Sequence, residues 1–538
     1  MEIRFSRREV IKGMGAAGLT PVLMTTASCG DGDGQAAGEP LPDLPEYSFD
    51  GTPGPENLFE HGVARGDPTA SSVILWTRVS PASDGPVEVW WEMALDPSFE
   101  ERTAQGTVTT DASRDYTAKI DATDLVWGRS YYYRFFAEGR ESPTGRTRLA
   151  PAGDEVSRLR FGVCSCSNYS RGWFHAYRNM AQRADLDAVL HLGDYIYENG
   201  SGGGSLRQVE PDREILTLDD YRTRYSLYRR DADLQEVHRQ FPFVVVWDDH
   251  ETANNSWKDG AQNHTPGEEG AWSDRLAEAR QAYFEWLPIR DNDGSQLFRR
   301  LQYGDLADLI MLDTRIEGRE EQSTSALYPL GDPSLPDDIL GPEQEAWLFE
   351  QLRSSTAQWK IVGNQVVMSI WQFNDEFVAN EDQWTGYRGS RERLMTMLRD
   401  EAIENVVVVT GDVHSSWAMD VTVGDGSYDG ATGEGAVGVE FVAPGITSPG
   451  GAIEPVAGAV LASSPHVRFF SSGENRGYFV LDLQPDKAQA DWYFIDGVAQ
   501  EQGAESEGGS YATMTGASRV MEMTGPELAN DTTAPLVS

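Results

Sequence analysis

Between residues 59 and 149, apolar and polar positions alternate in short runs: Ser72 to Val79, Val87 to Met93, Thr117 to Ile120 and Ser130 to Ala137. Pro, Gly and Asp turns separate them. A period of two predicts strands with one buried face, and the absence of any helical spacing predicts an all-β sandwich over 55–150. Trp90, Trp91 and Tyr131 to Tyr133 are read as packing inside it.

After Pro151 the pattern becomes strand, helix, strand. Leu159 to Ser165 and Ala188 to Leu192 are continuous apolar runs, and Trp173 to Arg183 between them has helical spacing. Later runs cover Phe243 to Trp247, Gly304 to Asp313, Lys360 to Gly363 and Asn405 to Thr410. Helices are predicted at Leu218 to Arg229, Gly270 to Trp286, Pro342 to Ser354 and Ser390 to Glu401. Four of the buried strands end in polar residues able to bind metal, at the carboxyl end where open α/β sheets hold ligands. Residues 31–54 have few large apolar positions and read as a linker. Residues 498–538, rich in Gly, Ser, Thr and Glu, read as a loose tail.

Composition changes the picture in two ways. The 538 residues are too many for one ordinary core, so two folded units are expected. With 44 Lys and Arg against 86 Asp and Glu, the net charge is −42. Such a field repels nucleic acid and anionic membrane, so no specific nucleic-acid affinity is expected; it favours solubility and bound cations. A monomer is expected.

At the start, Ser6-Arg7-Arg8 precedes a short apolar run from Gly13 to Thr26. This has the form of a twin-arginine export signal over 1–30, too short to span a bilayer. Thr26-Ala27-Ser28-Cys29-Gly30 is a loose lipoprotein box, with Cys29 as the residue to be acylated, although Thr26 stands where Leu is usual. Export places the protein in the periplasm, at the cell surface or outside, with a lipid anchor at Cys29 as one option. Only Cys29, Cys164 and Cys166 occur. The chain must therefore rely on its core and its metals rather than on disulfides. Cys164 and Cys166 are expected on one strand, facing the same side.

The candidate chemistry lies in the coincidence of strand ends. Asp194 and Tyr197 form Gly-Asp-x-x-Tyr, with both side chains on one side of a turn. Asp249 and His250 follow a second strand. Asp412 and His414 leave a third, one residue apart and expected to point the same way. Hydrolysis of a phosphate ester needs a nucleophilic oxygen, neutralised phosphoryl charge and a protonated leaving group. Two metals can supply the first two, and a His the third.

Five ordered motifs carry a resemblance: Cys164-Ser165-Cys166, His191-Leu192-Gly193-Asp194-Tyr195-Ile196-Tyr197-Glu198, Trp247-Asp248-Asp249-His250-Glu251, Leu312-Asp313-Thr314-Arg315 and Thr410-Gly411-Asp412-Val413-His414. The chain resembles the PhoD-type alkaline phosphatases of the calcineurin-like metallophosphoesterase superfamily, related in motif to purple acid phosphatases. The resemblance implies a fibronectin- or Ig-like all-β sandwich, then an α/β metallophosphoesterase domain over 156–497 built as an αββα four-layer sandwich. It also implies an Fe³⁺ held by Cys166, Asp194, Tyr197 and His414, with Ca²⁺, one ion or two, held by Asp194, Asp249 and Asp412. Gln365, Asn364, Asn254 or Asn255 would complete the calcium shell; Gln365 is the first choice. The nucleophile would be a metal-bound hydroxide and His250 the proton donor. Arg315 would hold a phosphate oxygen or, alternatively, a structural carboxylate. Asp248 is expected behind the ligands and Cys164 in the core. The implied substrates are small-molecule or polymeric phosphate esters, hydrolysed for phosphate acquisition. The loops 200–212 and 322–338 are expected to shape the entrance. Two other readings compete: a zinc or manganese nuclease or nucleotidase, and a surface binding protein with a relic phosphatase domain.

Overall fold

Two large sheets share one core. The computed structural model describes residues 44–291, 296–323, 327–329, 332, 334–374, 376–379, 382–450, 456–529 and 536–537. The export signal, Cys29, linker residues 31–43 and parts of the loop 322–338 lie outside them. Residues Pro42–Ser538 form one compact unit.

At the centre of a ten-stranded sheet, Leu159–Cys164, Ala188–His191 and Phe243–Val245 run parallel. Gly477–Leu483 lies antiparallel on the outer edge of Leu159–Cys164, followed by Lys487–Asp496, Ala504–Met514 and Met521–Glu522. A seven-stranded sheet has Ala307–Met311, Trp359–Gly363, Val406–Thr410 and Ala436–Val442 parallel at its centre. Phe161, Val163 and Phe479 of the first sheet pack with Leu309, Ile361, Val407 and Phe441 of the second. These strands are buried on both faces, which is why they read as continuous apolar runs. Helices Leu218–Arg229, Ala232–Gln240 and Trp272–Trp286 cover the outer face of the ten-stranded sheet. Gly341–Ser354 and Arg388–Asp400 cover that of the seven-stranded sheet, through Leu348, Leu394 and Leu398 against Ile310, Val362 and Val408.

The N-terminal region is less separate than its alternation predicts. Val87–Ala94, Arg102–Thr110 and Ser130–Ala137 belong to a five-stranded sheet of their own. Val63–Gly66, Val73–Arg78 and Thr117–Ala122 instead extend the ten-stranded sheet, through a parallel pairing of Gly66 with Phe243. Val73, Leu75 and Ala118 still share a core with Val89, Tyr131 and Phe135.

Three further corrections have local causes. The tail expected from residue 498 contains Ala504–Met514, an eleven-residue strand paired with Lys487–Asp496. It is polar because only Ser510, Ala512 and Thr513 are buried along it. The unpredicted helix Ala232–Gln240 starts at Asp231, whose side chain accepts from the amides of Asp233 and Leu234. The run expected from Leu159 to Ser165 ends as a strand at Cys164, which leaves Cys166 in the turn beyond it.

Candidate metal centre

The turns that leave the central strands are bonded to one another. The Cys166 amide donates to Gly193 O at 3.1 Å, and the Ser167 amide to Asp194 O at 2.9 Å. Gly193 has φ +105°, and a Cβ on it would lie 2.4 Å from Asp248 Cβ, so only glycine lets these turns meet. Glu251, fully buried, takes the amide hydrogens of Asp194, Tyr195 and Asp248 at 3.1, 2.6 and 2.9 Å. One carboxylate thus ties two ligand-bearing turns together.

Cys166, Asp194, Asp412 and His414 all adopt left-handed backbone, with φ of +63°, +55°, +63° and +56°. Non-glycine residues there cost about 1–3 kcal/mol each and persist where surrounding contacts fix them, typically at functional sites. The same twist corrects an expectation. Asp412 and His414 do not point the same way, because neither lies on the strand.

Their side chains serve different groups. Cys166 Sγ, an Asp194 oxygen and a His414 nitrogen lie within 4.8 Å of one another. The Tyr197 phenol joins them, donating to Asp194 Oδ2 at 2.7 Å and lying 3.2 Å from His414 Nε2. Asp412 groups with Asp248 and Asp249, and Asp249 also groups with Asp194 and His250, again within 4.8 Å. Sulfur, phenol and imidazole therefore meet at one end of the site, and carboxylates meet at the other.

Burial pushes the Asp194 carboxyl well above the usual carboxylate range, and repulsion from Asp249 adds to this. Burial also raises Asp412, to about 6, and the Cys166 thiol. Such a cluster binds cations, which restore the charged forms. His414 is lowered to about 4, first by burial and then by the nearby His250, so its ring is neutral and able to ligate. His250 goes the other way. Against its burial, Glu198, Asp249 and Asp194 hold it well above the ordinary imidazole value. Its Nδ1 donates to Glu198 Oε2 at 2.6 Å, and its ring lies 4.1 Å from that of Tyr197.

Three expected roles do not fit the geometry. Arg315 has no exposed side-chain surface. Its Nε donates to Asp248, its Nη1 to Asp382 at 3.0 Å and its Nη2 to Asp412 at 2.9 Å, so the alternative of a structural carboxylate partner is what the geometry shows, and its donors are spent there instead of on a phosphate. Gln365 is no ligand, since its Oε1 accepts the Thr314 amide and hydroxyl at 2.9 and 2.6 Å and its Nε2 donates to Leu312 O. The Asn364 oxygen is likewise occupied, by Trp384 Nε1 at 3.0 Å. Asn254 and Asn255 both turn their amide nitrogens onto Gln262 Oε1, and the Asn255 backbone amide donates to Asp249. Asp248, expected behind the ligands, stands among them, with Oδ2 buried and unpartnered. Cys164 packs in the core as expected.

Sequence reasoning missed Glu198, Glu251, Ser448, Asp382 and Gln383. Ser448 donates to the Tyr197 oxygen at 2.6 Å, and Gln383 Nε2 to Asp412 Oδ2 at 2.8 Å. Glu198 and Glu251 end two of the quoted motifs and were legible as acids beside ligands; the other three lie in loops without a pattern.

Comparison with solved structures defines the class. The chain superposes on a structure titled "Structure of PhoD" with a TM-score of 0.80 and 35% identity, over 90% of this chain and 94% of that one. A purple acid phosphatase, PPD1 from yellow lupin (Lupinus luteus) seeds, shares the fold at a TM-score of 0.55 and 13% identity, over 84% and 73%. The fold is metallophosphoesterase-like. The profile of the PhoD-like phosphatases matches residues 161–492, and that of their N-terminal domain matches residues 48–151. Alkaline phosphatase D of Bacillus subtilis (strain 168) is 36% identical over 536 residues, covering 94% of this chain and 87% of that protein. The chain belongs to the PhoD-like phosphatase family and is a metal-dependent phosphoric ester hydrolase.

Proposed function

We propose that this chain is an exported alkaline phosphatase and phosphodiesterase that releases phosphate for uptake, working with Fe³⁺ at one end of its site and Ca²⁺ at the other. The observation that carries the reading is the division of donors. Cys166, Tyr197, His414 and Asp194 suit a trivalent transition metal, and the oxygen-only group of Asp249, Asp412, Asp194 and Asp248 suits calcium. Bound there, the cations would neutralise phosphoryl charge and activate water.

The chain's own residues supply the rest. Glu198 holds the Nδ1 side of His250, which leaves Nε2 to donate a proton to the departing oxygen. Arg315 balances the carboxylates, and Glu251 keeps the ligand-bearing turns in register. The Arg7-Arg8 signal supports twin-arginine export to the periplasm, the cell surface or the medium, with Cys29 as a lipid anchor. Folding before export lets a thiolate-bound iron be loaded inside the cell.

Metal analysis and absorption spectroscopy of the purified protein test the reading, with turnover of mono- and diesters measured with and without chelator. Iron, calcium and a visible tyrosinate-to-iron band are expected. A colourless, active, zinc- or manganese-loaded protein would overturn the metal assignment.

A further inference from the structure

We propose that Arg476 forms an anion subsite beside the metal centre and holds a second phosphate of substrates that carry one. The proposal deepens the phosphatase reading and rests on it.

Arg476 stands immediately before Gly477–Leu483, the strand that pairs antiparallel with Leu159–Cys164. Phe479 lies opposite Val163, so the start of one strand adjoins the end of the other, where the chain turns to Cys166. Its backbone is fixed on both sides. The Ile495 amide donates to Arg476 O at 2.8 Å, and the Gly477 amide to Gly445 O at 3.1 Å. Gly473, in the same loop, presses on the ligand turn; a Cβ there would lie 2.5 Å from His414 O.

The side chain is aimed the same way. Nε donates to Thr447 O at 3.0 Å. The next residue, Ser448, has its hydroxyl 2.6 Å from the Tyr197 phenol oxygen and 3.0 Å from Cys166 O. The guanidinium is thus anchored one residue from a group that touches the metal ligands. Half-buried, it forms no ion pair among the described residues; its Nη1 lies 3.5 Å from the backbone oxygen of the exposed Glu474.

Other buried guanidiniums of the molecule differ. Arg315 and Arg319 bond Asp382, Arg275 bonds Glu214, and Arg207 bonds Asp231. Buried Arg224 is surrounded by backbone carbonyls. In a chain with 86 acidic residues, a half-buried cation beside the centre that pairs with no carboxylate among the described residues, and has only the exposed Glu474 acting on it from two residues away, is poised for an anion from outside. Guanidinium matches phosphate by its paired N–H groups. The metal centre takes the scissile phosphate, so the anion at Arg476 is a further one, as in a bisphosphate or a polyanionic phosphodiester chain.

Calorimetric titration of the metal-loaded protein with thymidine 5′-monophosphate and thymidine 3′,5′-bisphosphate tests this. In the native protein the bisphosphate should bind about tenfold tighter, the effect of one charge-assisted contact. Arg476→Gln should bring the ratio of the two affinities near one, and Arg476→Lys should restore part of it. A ratio near one in the native protein, or an equal ratio in the native and Gln forms, overturns the subsite. Turnover of p-nitrophenyl phosphate is scored separately. Its absence alongside an intact bisphosphate preference would sink the phosphatase reading and leave the subsite standing.

Discussion

His250 Nδ1 lies 2.6 Å from Oε2 of Glu198, a carboxylate with no exposed surface. The other Glu198 oxygen accepts the Asn254 amide at 2.9 Å and Asn263 Nδ2 at 3.0 Å, so the acid cannot follow a turning ring. Glu198→Gln should lower kcat about a hundredfold with little change in KM, since an aimed general acid contributes about 10²–10⁴. The loss should be larger for alkyl than for nitrophenyl leaving groups, and Glu198→Asp should recover part of it. Equal losses for both leaving groups would remove the proton-donor role.

Asp194 belongs to both the thiol-bearing and the carboxylate groups. Asp194→Asn should reduce turnover at least about a thousandfold, because it disturbs both halves of a site whose cations carry the reaction. Metal content by mass spectrometry should fall while circular dichroism stays native. An active, fully loaded Asn variant would move the bridge elsewhere.

Arg315 meets Asp248, Asp382 and Asp412 without any contact with solvent. Arg315→Met leaves buried carboxylates uncompensated and should destabilise the metal-free protein by about 3–5 kcal/mol. Arg315→Lys should rescue little, since an ammonium cannot span the three acids. Denaturant unfolding measures both. A native midpoint in the Met variant would contradict the balancing role.

Burial holds His61 near 2 and His191 near 3, and His238 well below the ordinary value. The unfolded chain protonates these rings near 6.5, whereas the folded chain keeps them neutral. At these rings unfolding takes up protons, so their share of the stability is lost as pH drops below about 6.5, whereas the raised acids Asp194 and Asp412 act in the opposite sense. Urea midpoints between pH 8 and 5 test this, and His61→Gln should flatten the decline. The same pH dependence in the native and His61→Gln proteins would overturn the assignment.

The strand ends were legible because buried parallel strands leave a plain mark. Val406–Thr410 and Ala307–Met311 are continuous apolar runs, and Asp194, Asp249 and Asp412 follow such runs. What alternation could not tell was which sheet a strand joins: Val73–Arg78 and Val87–Ala94 carry similar patterns yet lie in different sheets. Backbone twist was equally hidden. Asp412 and His414 sit at i and i+2, and only their positive φ sends one to the carboxylates and the other to the thiol. Arg315 and Gln365 were placed by residue type at the right depth, but Arg315 spends its donors on the carboxylates Asp248 and Asp412, and Gln365 spends its amide on Thr314 and Leu312.

The pairing of Gly66 with Phe243 also bears on inheritance. Asp67 donates its amide to Phe243 O at 3.1 Å, and Trp76 Nε1 reaches Glu285 O at 2.8 Å, so the N-terminal strands close an edge of the hydrolase sheet. Without them, Phe243–Val245 would present a bare apolar border to other chains, the usual start of edge-to-edge aggregation. The two halves are therefore bound to travel through evolution as one piece, and a trimmed hydrolase would need a new edge before it could stay in solution.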